Sequence, residues 1–266
     1  MSALAGGIAF ARRRTAFSFA LLLALCAPTL LGFLPLDRAL AALLDLRPAA
    51  RGLVAGDDTL WVELVYLAPS LPGTALGSAL VALLLAVPAA WVVSAFIAAR
   101  ALGVTLETGL IAQRGLGIAL VSLPLRALPI VGAALIAIGA RETRTLAAAL
   151  PYALAAAAIY FIGSSMVAVI VDLARGAAMA SPEQPLLAAL GTGLDAAWRR
   201  RGSFAALVVG ELTLTVVSMV GVAVTRPLGI YGALTGAIGI AALVLRAFGS
   251  TALIAAAATG AASRSA

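Results

Sequence analysis

Glu211 stands in the string Val208-Val209-Gly210-Glu211-Leu212-Thr213, eight residues into an apolar run that opens after Arg199-Arg200-Arg201. At 1.5 Å of rise per residue a helix there carries it about 12 Å below the interface. A carboxylate at that depth has to be paired or protonated, so it marks either a clasp between helices or a substrate or proton site. Arg126 and Arg246 fall inside apolar runs at a similar depth, and either would satisfy Glu211 as a buried ion pair. Arg246 is also near enough to the end of its run for its long stem to carry the guanidinium to the interface. Arg126 sits in Ser122-Leu123-Pro124-Leu125-Arg126-Ala127-Leu128-Pro129. Two prolines five apart each remove a backbone donor and kink a helix. Such breaks bind substrates in transporters. No matching break recurs in the second half of the chain, so Pro124 and Pro129 read as a packing kink.

Other chemistry is excluded by residue type. The chain has no histidine, which removes the usual haem ligand, the commonest zinc ligand and the Ser-His-Asp triad. No phosphate-binding loop, dinucleotide fingerprint, HExxH or CxxC occurs, so no metal, cofactor or catalytic residue is expected. The single cysteine, Cys26, forms no disulfide within the chain. Net charge is +7, but the cations come in short bursts without the aromatic-interleaved patch that nucleic acid needs. Nucleic acid is therefore not an expected partner. Arg12, Arg13, Arg14 and Arg199, Arg200, Arg201 are read as contacts to lipid head groups. The strings Arg12-Arg13-Arg14-Thr15-Ala16-Phe17 and Arg199-Arg200-Arg201-Gly202-Ser203-Phe204 are alike. Convergence of two positive anchors explains that without a duplication.

The elements that must position these residues are set by composition. Hydrophobic residues make up 63% of the 266 and charged ones 11%, against about 25% charged in a soluble domain. The mean hydropathy is +1.12. The apolar residues fall in runs of about 20, enough to cross a bilayer core of about 30 Å. An all-α, polytopic transmembrane bundle of one domain is expected, with spans at 16–34, 74–99, 116–140, 147–171, 203–224 and 228–254. Residues 35–73 are expected as an outer interfacial loop, in which Leu36, Leu40, Leu43 and Leu44 lie on the leaflet and Trp61 and Tyr66 suit the head-group belt. An alternative for the third span places 109–123 on the membrane surface and only 124–140 inside it. Residues 172–202 are expected as an inner loop carrying an amphipathic helix, with Leu186, Leu187, Leu190, Leu194 and Trp198 on its apolar side. With the N-terminus inside, ten arginines fall in inner segments and six in outer ones, so the positive-inside rule puts both termini in the cytoplasm. Gly232 and Gly236 make a small-xxx-small pair that this glycine content produces by chance.

Every cation is an arginine, which together with the alanine, leucine and valine bias points to a GC-rich bacterial coding sequence. The long first outer loop, and the segment Leu187-Ala188-Ala189-Leu190-Gly191 through Trp198-Arg199-Arg200-Arg201 before the fifth span, give a layout that is similar to a family of uncharacterised bacterial six-helix membrane proteins. That family is related to the membrane domain attached to some glycerophosphoryl diester phosphodiesterases. The resemblance brings no catalytic residues, and no phosphodiesterase domain is present here. The expected function is non-catalytic: an accessory or scaffold subunit of the bacterial inner membrane whose partners are membrane lipids, a membrane protein or a second copy. The alternative is a transporter or permease subunit built around Glu211, Arg126 and Arg246.

Overall fold

The computed structural model describes residues 3–45, 70–140, 143, 145–225 and 232–262. The elements are α1 (Ala3–Arg13), α2 (Thr15–Asp45), α3 (Leu71–Ala101), α4 (Thr108–Val121), α5 (Leu123–Gly139), α6 (Leu146–Ala180), α7 (Leu186–Arg199), α8 (Arg201–Thr225) and α9 (Gly232–Ala262). Six helical stretches among the described residues are long and apolar enough to cross a membrane: Thr15–Ala39, Gly73–Ala101, Thr108–Gly139, Ala147–Ala180, Arg201–Val220 and Ile240–Gly260. The chain is an all-helical, multi-pass membrane protein.

Several helices run further than the apolar runs suggest. The first span does not stop at Leu34, because the leucine spacing from Leu36 to Leu44 continues the register of α2 through Pro28 and Pro35 to Asp45. Residues 46–69 of the expected outer loop, including Trp61 and Tyr66, lie outside the described residues, and its last residues, 71–73, already belong to α3. Helix α6 continues past Val171 to Ala180. Asp172 and Arg175 are three residues apart and form an ion pair within the helix, so these charges do not end it. The third stretch begins at Thr108 and is interrupted at Ser122. Its first part, α4, is seated in the protein by Ile111, Gly115, Ile118 and Ala119, a small-residue face at helical spacing.

The hairpin α2–α3, the pair α5–α6 and the pair α8–α9 meet at the end of the molecule where α1 packs on the last turns of α9. The core lies there. One cluster joins Leu21, Ala95, Ile97, Ala98, Ala99, Met179, Ile254 and Ala258. A second joins Val169, Ile170, Leu173, Leu207, Leu253 and Ala256, and a third lies around Ile118, Val171, Ala174 and Ala178. Ala252 through Ala258 of α9 are buried at every position, so this stretch is enclosed on all sides, as an all-round apolar helix is in the centre of a bundle. At the opposite end the picture inverts. Leu83, Leu84, Leu135, Leu150, Leu154, Val216, Val220 and Ile240 are exposed, as suits side chains facing lipid tails.

Backbone approach makes the closed end possible. A Cβ on Gly176 would come within 2.6 Å of the Ala258 Cα, and one on Gly193 within 2.8 Å of the Ala174 amide. Gly7 of α1 touches Ala252 and Ala256 in the same way. That N-terminal helix has its own small stripe, Gly7 and Ala11, which docks it on α9. Gly176→Val should therefore lower the melting temperature in detergent by several degrees, corresponding to about 2 kcal/mol of overpacking. Gly109→Val, with nothing within 4 Å of the added Cβ, should leave it unchanged, and circular dichroism melts of the two variants make the check.

Candidate functional site

Glu211 and Thr215 are four residues apart on α8 and therefore share a face. Arg246 projects from α9 against that face. Its Nη2 donates to Glu211 Oε1 at 2.8 Å and its Nη1 to Thr215 Oγ1 at 2.6 Å. The Thr215 hydroxyl in turn donates to the Glu211 carbonyl at 2.9 Å. The Glu211 side chain is 16% exposed and that of Arg246 29%. Gly210 accepts Leu253, and Gly249 accepts Leu214, at close contact on either side of the pair. These packed neighbours fix the register in which the charges meet. Of the two arginines considered as partners for Glu211, the structure brings Arg246 to it.

Arg126 takes a different place. It belongs to the first turn of α5, where its Nε donates to Ser122 Oγ at 3.3 Å and its guanidinium lies 5.7 Å from the centre of the Trp91 ring. Among the described residues no carboxylate lies within ion-pair distance of Arg126. Pro124 occupies the start of α5, where a missing N–H interrupts no helical bond. Pro129 is buried against Gly163 of α6, whose added Cβ would lie 3.0 Å from the proline Cβ. Pro129 thus packs α5 against α6, while Pro124 is exposed at the start of α5.

The arginines read as head-group contacts divide. Arg12, Arg13 and Arg14 are exposed. Arg199 pairs with Asp195 at 2.6 Å, and Arg201 lies 4.5 Å over the Trp198 ring. Arg200 donates to the Gly260 carbonyl, tying the α7–α8 corner to the end of α9. On α7, Ala189, Gly193 and Ala197 face the protein, while Leu187, Leu194 and Trp198 form an exposed apolar stripe.

Arg114 was not distinguished by the sequence, since it reads as one more inner cation beside Gln113 and Gly115. In the structure it crosses from α4 to the end of α6. Its Nε donates to the Ala178 carbonyl at 2.9 Å, its Nη2 to those of Gln184 at 2.7 Å and Ser181 at 3.3 Å, and its Nη1 to that of Pro182. The last carbonyls of a helix lack partners within it and carry partial negative charge, and a planar fork with five donors can cap several at once. A C-terminal turn of the form Ser181-Pro182 after a long helix is the signal that such a cap is needed.

No family model, no curated protein and no solved structure matches the chain.

Two outcomes follow from this geometry. Glu211→Arg should prevent stable folding, since removing one partner of a buried pair costs about 3–5 kcal/mol. Adding Arg246→Glu should restore detergent-stable protein, whereas adding Arg126→Glu should not; monodispersity on size exclusion reads both. Arg114→Gln should lower stability by about 3 kcal/mol through loss of charge-assisted bonds and open residues 181–185 to limited proteolysis. Arg114→Lys should recover only part, because an ammonium cannot span the carbonyls that the fork reaches.

Proposed function

We propose that this chain is a non-catalytic accessory or scaffold subunit of the bacterial inner membrane, acting through lipids and partner proteins. The observation that carries this reading is the unequal use of the two ends. Around α1 and the last turns of α9, apolar side chains are consumed by the protein's own packing, and the Glu211 carboxylate is paired with Arg246. At the other end, α3, α5, α6, α8 and α9 leave large apolar side chains uncovered. A surface of that kind offers contact area to lipid tails or to another transmembrane helix, which in a bilayer is held by packing. The arginine-rich inner rim and the exposed α7 stripe supply a second contact surface at the head groups.

A transport subunit is the second reading, favoured by the helix break at Ser122 beside an arginine without a carboxylate partner. Cross-linking in native membranes, followed by mild-detergent purification and mass spectrometry, separates the two. A stoichiometric protein partner is the expected result. A lone bundle whose Glu211→Gln variant folds normally but abolishes a solute flux would overturn the scaffold reading.

A further inference from the structure

Between α2 and α9 lies a cavity of about 190 Å³, lined by Ser18, Phe19 and Leu22 of α2 and by Val244, Ala247 and Phe248 of α9. Thr15 borders it as well. Positions 15, 18, 19 and 22 share one helix face, so a single side of α2 supplies that wall. Ser18 and Ala247 are buried, whereas Phe19 is 60% exposed and Val244 40%. Both exposed residues belong to helical stretches able to cross a membrane. The cavity is thus a groove whose floor is protein and whose rim faces lipid. An apolar void of about 150 Å³ is already large enough to take up benzene, so this groove accommodates a stretch of hydrocarbon chain.

Two further observations select the kind of molecule. Ser18 Oγ is buried without a hydrogen-bond partner, although a hydroxyl shut away from water is costly when unmatched. Arg12, Arg13 and Arg14, all exposed, immediately precede Thr15. Along α2 the chemistry therefore runs from three cations, to an unmatched hydroxyl about 6 Å past Arg14, to the apolar wall ending at Leu22 about 12 Å past it. A glycerophospholipid presents the matching order: an anionic phosphate, ester carbonyls that accept hydrogen bonds, then alkyl chain. The flank of another transmembrane helix offers Ser18 less, because its backbone carbonyls are engaged within the helix.

We propose that this groove seats one acyl chain of an anionic phospholipid, with an ester carbonyl accepting from Ser18 Oγ and the phosphate meeting Arg12, Arg13 and Arg14. The inference deepens the lipid side of the proposed function and rests on that reading for lipid as a partner. Its test contains no other protein, so a missing protein partner and a missing lipid site are separate results.

The purified full chain in neutral detergent is photolabelled with phosphatidylglycerol carrying a diazirine in one acyl chain, and mass spectrometry maps the adducts. The expected result is saturable labelling concentrated on Phe19, Leu22, Val244 and Phe248, and not on Leu83 or Leu135, which are exposed elsewhere. Unlabelled dioleoylphosphatidylglycerol should compete about tenfold better than dioleoylphosphatidylcholine. Changing Arg12, Arg13 and Arg14 together to Gln should abolish that preference while groove labelling remains. Val244→Trp, which fills the groove from its rim, should cut labelling there by about tenfold or more with the melting temperature kept. Leu23→Trp, on α2 but outside the groove, should not. Ser18→Ala should weaken competition about threefold without lowering the ligand-free melting temperature, since the group removed has no partner. Labelling spread evenly over the exposed leucines, labelling that survives Val244→Trp, or equal competition by phosphatidylcholine would overturn the proposal. So would a dimer on size exclusion that Val244→Trp abolishes, because the groove would then be a contact between copies. Should Val244→Trp fail to fold, the adduct positions and the lipid competition in the unmodified chain decide it.

Discussion

Within a bilayer the hydrophobic effect does not draw helices together, because lipid tails are as apolar as leucine. Cohesion has to come from close packing and from polar contacts that hydrocarbon cannot provide. In this protein both are concentrated at one end. The buried run Ala252–Ala258 of α9 is narrow enough for α1, α2, α3, α6 and α8 to gather around it, with Gly7 and Gly176 at the tightest contacts. A larger side chain at those contacts would push whole helices apart, since the neighbouring atoms include backbone. The seating of α4 and α7 and the register of the charged residues both follow from this closure.

Arginine does the polar part of the work in three ways. Arg114 and Arg200 cap carbonyls where α6 and α9 end, satisfying acceptors that have no partner within their own helix. Arg246, Arg175 and Arg199 make ion pairs. Of these, the exposed Arg199 pair contributes little, while the Arg246 pair fixes α8 against α9. Arg126 belongs to neither group, having a tryptophan face and one hydroxyl for company.

The fold class was legible from composition and run length, because a 30 Å hydrocarbon layer imposes a span length that the sequence must meet. The amphipathic α7 was legible from its leucine spacing. Helix α1 was not, for its docking face consists of glycine and alanine, residues that carry little apolar signal yet permit the closest approach. The extension of α6 past Val171 was hidden for a related reason: Asp172 and Arg175 look like the end of an apolar run until they are seen to neutralise each other three residues apart.

The sequence by itself determined that the chain crosses the membrane several times, that Glu211 needs a partner and that histidine-based chemistry is absent, since each depends on residue type and on distance along one helix. Only the tertiary structure decided that the partner is Arg246, that Arg114 caps α6 across 64 residues of sequence and that Arg126 meets Trp91 instead of a carboxylate. These are contacts between different helices. Their register is set by which glycines and alanines let two backbones approach, a property of paired surfaces that no single run of residues contains.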